Sequence, residues 1–233
     1  MHYFYAEKIQ DNQAFLSDEE TRHLIKSLRA KDGDQIWLLD GRGRKYRARL
    51  YLRGSEATLT IEESLSYEKK AHRLHLAIAP TKMPSRTEWM VEKATELGID
   101  TITPIITARS EKTRIKIDRL QKIALSALKQ SGQPYLPMIN QLTTFDAFVQ
   151  TRHADLKMIA HCQTEDLPHL SKMMTEAAVT TILIGPEGDF TMAEVDQARA
   201  QGFAEVSLGK SRLRTETAGI FVTTLHTMLN REY

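Results

Sequence analysis

Hydrophobic and polar positions read as short strands from Ile36 to Glu63, and from Leu74 onward strand-like runs alternate with helical ones. Short alternating runs predict strands at 36–39, 45–52 and 57–61, with Asp40-Gly41 and Gly54-Ser55 as the turns between them. A polar stretch from Tyr67 to Arg73 reads as a linker, so the expected division is a small β domain over 1–70 followed by a second domain over 71–233. In the second region apolar runs at 74–79, 101–106, 156–160, 180–184 and 205–208 alternate with helical segments, the signature of an α/β domain built on a mainly parallel sheet.

Three helices are marked by their ends or faces. Ser85 and Glu88 have capping-box spacing, Met90, Ala94 and Leu97 share a face, and Gly98 is a stop signal. Thr191 and Glu194 form a second capping-box pattern for a helix ending before Gly202. The last helix, from about Thr217, is expected to bury Phe221, Leu225 and Met228.

Charge changes the picture locally, because the formal net charge of +2 is too small to identify a partner. Six basic residues and no acidic one lie between Arg42 and Arg53. On a strand, Lys45, Arg47, Arg49, Tyr51 and Arg53 line one side and Tyr46, Ala48, Leu50 and Leu52 the other, so one face is core and the other a basic stripe suited to phosphates. A solvated strand face explains the same residues equally well. Arg22, His23, Lys26 and Arg29 add a second basic group.

The single cysteine, Cys162, excludes an intramolecular disulfide and a thiolate-rich metal site, and the eight histidines have no ligand spacing, so no metal is expected. No apolar run has bilayer-crossing length and the N-terminus lacks a secretory layout, which predicts a cytoplasmic protein without a membrane partner. Gly41 and Gly43 do not make a dinucleotide fingerprint, since Tyr46 replaces the third glycine and a strand follows.

Two segments break into glycine and polar residues after a buried strand: Ile184-Gly185-Pro186-Glu187-Gly188-Asp189-Phe190-Thr191, and Leu208-Gly209-Lys210-Ser211-Arg212-Leu213-Arg214-Thr215-Glu216-Thr217-Ala218. Open α/β sheets bind ligands at the carboxyl ends of strands, and glycine lets backbone come close to them. Ordinary strand-to-helix turns would have the same composition.

Taken together and in this order, Gly-Pro-Glu-Gly and Leu-Gly-(three residues)-Leu-Arg-Thr-Glu-Thr-Ala resemble the 16S rRNA (uracil-1498-N3)-methyltransferase family of the SPOUT superfamily. The resemblance extends to Arg22-His23, Leu28-Arg29, Gly33-Asp34, Lys82 with Arg86, the run 92–98, Arg109-Ser110, and Gln130-Ser131-Gly132 before Pro134 and Pro137. Asp189 departs from it, standing where the family usually has a second glycine, as do Ser211-Arg212 and Gln133. The resemblance implies a PUA-like β-barrel for RNA, joined to an α/β SPOUT domain with a deep trefoil knot. It further implies a homodimer acting on 16S rRNA of the small ribosomal subunit.

The cofactor so implied is S-adenosylmethionine, held by Ile184, Gly185, Pro186, Glu187, Gly188, Leu208, Gly209, Leu213, Thr217 and Ala218. Uridine N3 carries a proton, so its methylation needs a base and a cation; Arg214 is the candidate cation, with Glu216 or Glu187 as base or as the group that orients it. Arg22, His23, Arg29, Arg42, Arg47, Arg49 and Lys82 are the candidate RNA contacts. A ribosome-binding protein without activity, or a SPOUT enzyme methylating ribose 2'-hydroxyls, would share many of these features.

Overall fold

In the computed structural model, residues 2–53, 56–151, 156–174 and 179–230 are described. The chain forms two compact units, one of residues 1–69 with 125–136 and one of 70–124 with 137–233.

The first unit holds β1 (Tyr3–Tyr5), β2 (Lys8–Gln10), β3 (Gln13–Phe15), α1 (Asp18–Arg22), a π-helical turn His23–Ser27, β4 (Gln35–Leu39), β5 (Arg44–Arg53) and β6 (Glu56–Ser66). They pair in the order β1-β4-β5-β6-β3-β2, parallel only between β1 and β4. The three strands foreseen in this region are present. The three short N-terminal strands were not foreseen, because runs of three residues are too brief to show a period. The proposed Gly54-Ser55 turn lies outside the described residues.

β5 alternates as its pattern dictates: Tyr46, Ala48 and Leu50 are buried and pack with Phe4, Leu24, Leu38 and Leu59, while the intervening side chains stay more exposed. Residues 125–136 belong to this unit although the sequence pattern assigns them to the α/β region. The Gly43 amide donates to the Pro134 carbonyl, the Leu136 amide donates to the Gly41 carbonyl, and the Lys129 ammonium pairs with Glu20. Gly43 has φ of 99°, and a Cβ there would stand 2.3 Å from the Tyr135 hydroxyl oxygen, so both conformation and space require glycine.

The second unit contains β7 (Arg73–Ile78), α2 (Pro84–Glu96), β8 (Thr101–Ile106), the start of α3 (Ile117–Ser131), β9 (Met138–Ile139), β10 (Thr143–Thr144), α4 (Phe145–Gln150), β11 (Leu156–Ala160), α5 (Leu170–Met173), β12 (Val179–Ile184), α6 (Met192–Ala200), β13 (Ala204–Val206) and α7 (Thr215–Leu229). Every strand pairing described in its sheet is parallel, and the order is β10-β8-β7-β12-β11-β13 with β9 beside β8. Buried Ala77, Ile105, Phe148, Ile159, Leu183, Phe190 and Phe203 form the core on which the carboxyl ends of the strands rest.

The capping box of Thr191 and Glu194 is formed as expected. That of Ser85 and Glu88 is not. The N-cap of α2 is Met83, without a side-chain cap, and Pro84 opens the helix with a preset φ and no amide to satisfy. Glu88 is instead engaged by the guanidinium of Arg119, with Nη2 to Oε2 at 2.7 Å.

α7 begins at Thr215, and its buried side is Ala218, Gly219, Val222, Thr223 and His226, not the predicted Phe221, Leu225 and Met228. Small residues won this contact: a Cβ on Gly219 would come 3.0 Å from Ile78 Cδ1, so the helix lies close upon β7 where larger side chains have no room. Met228 is exposed, and Phe221 and Leu225 are half-buried. No helix is long and apolar enough to cross a membrane among the described residues.

Burial, aided by the positive charges of Lys70 and His72, pushes the His226 pKa down from 6.5 to about 4. An unfolded chain therefore takes up this proton first as pH falls. His226 leaves stability intact above about pH 6.5 and removes roughly 3 kcal/mol as pH falls from there through 4. Urea unfolding at neutral pH and near pH 4.5 checks this: His226→Gln should show a smaller acid loss than the parent chain, and equal losses would remove His226 as the cause.

Candidate cofactor and catalytic site

Three parallel strands of the second unit, β11, β12 and β13, deliver their carboxyl-terminal loops to one cleft of about 490 Å³. The walls are Ala160 to Gln163 after β11, Ile184 to Asp189 after β12, and Ser207 to Thr215 with Ala218 after β13, Lys210 excepted. This volume lies within the ~300–1,000 Å³ usual for small-molecule sites.

The loops are fastened to each other. Asp189 has φ of 60°, and its carboxylate accepts from the Cys162 amide at 2.9 Å and the Gln163 side-chain amide at 3.1 Å, tying the first wall to the second. Glycine adopts this left-handed conformation more readily, which accounts for glycine at this position in the resemblance; here the carboxylate's cross-links stabilise it. Thr215 Oγ1 donates to the Gly185 carbonyl at 3.1 Å, joining the second wall to the third. From behind, Arg109 Nη1 donates to the Gly188 carbonyl at 2.9 Å and the Lys82 amide to Glu187 Oε1 at 2.9 Å.

Gly185, Gly188 and Gly209 lie on the cleft walls, where no side chain stands between backbone and cavity. A Cβ on Gly185 would stand 3.2 Å from the Phe190 ring and amide nitrogen, and one on Gly209, at φ of 124°, would meet nothing within 4 Å. The first glycine lets the loop fold tightly over Phe190; the second has open space beside it and a φ that side chains rarely adopt. His161 is fixed at the base of the cleft: its Nδ1 accepts from the Gln163 amide at 3.2 Å, which leaves Nε2 to donate to Glu205 Oε2 at 3.0 Å. Arg212 and Arg214 are exposed at the rim, neither with an ion-pair partner among the described residues. The room, the glycine-bearing walls and the mixture of apolar and polar lining fit a nucleoside-bearing cofactor such as S-adenosylmethionine.

Comparison with known proteins agrees with this geometry. Residues 68–227 match the family model described as RNA methyltransferase domain, and 16–62 match the RNA methyltransferase PUA domain. The ribosomal RNA small subunit methyltransferase E of Synechocystis is 31% identical over 218 residues, covering 91% of this chain and 72% of that protein. A probable rRNA-methyltransferase from Porphyromonas gingivalis has a TM-score of 0.90 at 37% identity, covering 99% of each chain. The ribosomal RNA small subunit methyltransferase E of Neisseria gonorrhoeae, solved bound to S-adenosyl methionine, has a TM-score of 0.87 at 27% identity, covering 98% of each chain. This chain belongs to the ribosomal RNA small subunit methyltransferase E family.

Of the residues the sequence pointed to for the methyltransferase cofactor, Ile184, Gly185, Pro186, Glu187, Gly188, Leu208, Gly209, Leu213 and Ala218 all line the cleft, as does Arg214. Thr217 does not; α7 starts earlier than its pattern suggests, and Thr217 falls on an exposed side of its first turn. Glu216 is not on the wall either. It is buried, with Oε1 3.6 Å from Arg86 Nη1 and Oε2 without a hydrogen-bond partner, so it faces Arg86 and not Arg214. Arg86 was seen only as part of the family resemblance.

The wall from Ala160 to Gln163 was missed. It has no glycine and no motif, and the one available signal was that it follows the third parallel strand. The candidate RNA contacts fall in both units. Arg22, His23, Arg29, Arg42, Arg47 and Arg49 belong to the first, and Lys82, whose ammonium pairs with Glu111 at 2.7 Å, to the second.

The basic stripe on β5 is partly neutralised, which its own composition concealed. Arg47 pairs with Glu63 at 2.9 Å, and Arg49 with Glu62 and the Gly33 carbonyl. Successive glutamates on β6 would ordinarily point to opposite faces. A bulge opposite Arg47 and Ala48 brings both within reach of the stripe. Arg22 and Arg42 remain exposed.

Asp189→Ala removes the acceptor that joins two walls. Hydrogen bonds to a charged acceptor contribute about 1.5–3 kcal/mol each, so the expected effect is a cofactor Kd raised about tenfold or more, with the fold retained. Calorimetry with S-adenosylmethionine, alongside thermal unfolding, checks it; wild-type affinity would show that the loops hold their places without Asp189.

Proposed function

We propose that this protein is an S-adenosylmethionine-dependent methyltransferase that methylates N3 of a uridine in 16S ribosomal RNA of the small subunit, acting as a cytoplasmic homodimer. The observation that carries the reading is the cleft formed where β11, β12 and β13 end, with glycines on its walls and Arg212 and Arg214 at its rim, in a chain of this family. The passage from β11 through β13, with α7 returning to β7 and β12, is read as the deep trefoil knot, an exception to the usual unthreaded topology. The half-buried Phe221 and Leu225 and exposed Met228 and Leu229 on α7 supply an apolar flank for a second copy.

The cofactor supplies a methyl group made electrophilic by its sulfonium. The chain has three tasks. It holds the uridine with N3 in line with that methyl, accepts the N3 proton, and stabilises the negative charge that spreads to O2 and O4 as N3 becomes nucleophilic. Arg214 takes the charge in this reading, supported by its position at the N-cap of α7 and on the cleft wall. Glu187 is the better base of the two carboxylates: it lines the cleft, and the Lys82 amide fixes one of its oxygens while the other remains available. Glu216, buried against Arg86, is suited to positioning. N3 lies on the Watson-Crick edge, so the target must be unpaired or flipped out of its helix.

The deciding experiment is incubation with labelled cofactor and small ribosomal subunits lacking the modification, followed by nucleoside mass spectrometry and mapping. N3-methyluridine is expected; 2'-O-methylated ribose would favour the other SPOUT chemistry, and no transfer with intact RNA binding would favour a non-catalytic role. Arg214→Ala is expected to lower kcat by about 10²–10³, as loss of one charge-stabilising donor does, without a change in melting temperature. A wild-type rate would remove Arg214 from the mechanism.

A further inference from the structure

A second cavity in the α/β unit, of about 520 Å³, has no part in the cofactor cleft. One wall is the segment after β7 and the first turns of α2, with Pro80, Thr81 and Pro84; the other is the irregular segment leading into α3, with Lys112, Ile115 and Lys116. Its floor makes no polar demand. Thr81 and Thr87 satisfy each other through hydroxyls 2.8 Å apart, and Thr81 Oγ1 lies 2.7 Å from the Met83 carbonyl.

Four cations surround this apolar floor, and one of them is spent. Arg119 is held by Glu88, whose carboxyl the guanidinium keeps below the usual carboxylate range. Lys112, Arg114 and Lys116 have no ion-pair partner among the described residues, and Arg114 and Lys116 are exposed. An apolar floor beneath a rim of unpaired positive charge is complementary to a nucleotide, with a flat base inside and a phosphate outside.

Both walls are also tied to the glycine loop of the cofactor cleft. Thr81 is followed by Lys82, whose amide donates to Glu187. Arg109, three residues before Lys112, donates to the Gly188 carbonyl. The cavity and the cleft therefore share the 185–190 loop as a common support.

We propose that this groove seats a nucleotide of the RNA substrate next to the target. Its phosphates are held by Lys112, Arg114 and Lys116, and its base lies against Pro80, Pro84 and Ile115. With its hydroxyls internally satisfied, the floor reads a π-face and not a base edge, so the subsite tolerates any base. The inference rests on the RNA methyltransferase reading above and adds to it the place where the strand beside the target is gripped.

The test is equilibrium binding of a fluorescent single-stranded oligouridylate to the full chain across a range of salt, for the parent protein, for K112A/R114A/K116A, and for Arg114→Glu. The triple variant should bind at least tenfold more weakly, and its log–log salt slope should fall by about two, at ~0.7 per phosphate contact on a single strand. Arg114→Glu should weaken binding in the same direction. Cofactor affinity by calorimetry should stay within twofold, and the melting temperature should be unchanged. An oligoadenylate should behave like the oligouridylate. Unchanged RNA affinity and salt slope would overturn the proposal, as would a polyglutamate peptide of equal charge that binds as tightly and loses as much in the variants. Failure of the methylation reading is a separate result, absence of transfer to any RNA by the parent enzyme, and the binding measurement does not depend on it.

Discussion

Parallel pairing is the constraint on which this site depends. When β8, β7, β12, β11 and β13 lie side by side and point the same way, residues as far apart as 82, 109, 162, 189 and 215 must arrive at the carboxyl end of the sheet. Loops there have no ladder partners of their own, so their polar groups are satisfied by other loops or by a ligand. The hydrogen bonds of Asp189 to the 162–163 backbone and side chain, of Thr215 to Gly185, and of Arg109 to Gly188 are that satisfaction. They fasten the three walls to one another around the cleft, which keeps a cofactor site in place.

Charge is distributed by a similar economy. On β5 two of the arginines that look free in the sequence, Arg47 and Arg49, have glutamate partners supplied by a bulge in the next strand, and exposed pairs of this kind contribute on the order of 0–1 kcal/mol each. Around the second cavity, by contrast, Arg119 alone is neutralised, and Lys112, Arg114 and Lys116 have no ion-pair partner among the described residues. A count of basic residues ranks the strand first. Pairing narrows that difference without reversing it, since Arg42, Arg44 and Lys45 in the strand's stretch also have no ion-pair partner among the described residues; the cations near the cavity are set apart by the segments that tie them to the cofactor loop.

Much of the fold was legible. The five strands foreseen in the second unit end within two residues of where the apolar runs place them, while the two-residue β9 and β10 were not foreseen, and Thr191 caps α6 through the box its spacing implies. Other features were misread where a local pattern competed with a distant partner. Ser85 and Glu88 have the spacing of a capping box, but Pro84 begins the helix and Arg119 takes the glutamate. Phe221, Leu225 and Met228 have the spacing of a buried stripe, yet Gly219 and its small neighbours make the close contact with β7.

The sequence by itself determined the alternating strands, the turns that demand glycine and the two glycine-bearing loops, because conformational preference and period are properties of residues adjacent in the chain. Tertiary structure alone decided that Ala160 to Gln163 complete the cleft, that Glu216 turns toward Arg86, that residues 125–136 join the first unit, and which arginines keep their charge. Each of these depends on a partner tens of residues away, brought near by strand order and register, and no local preference encodes that distance.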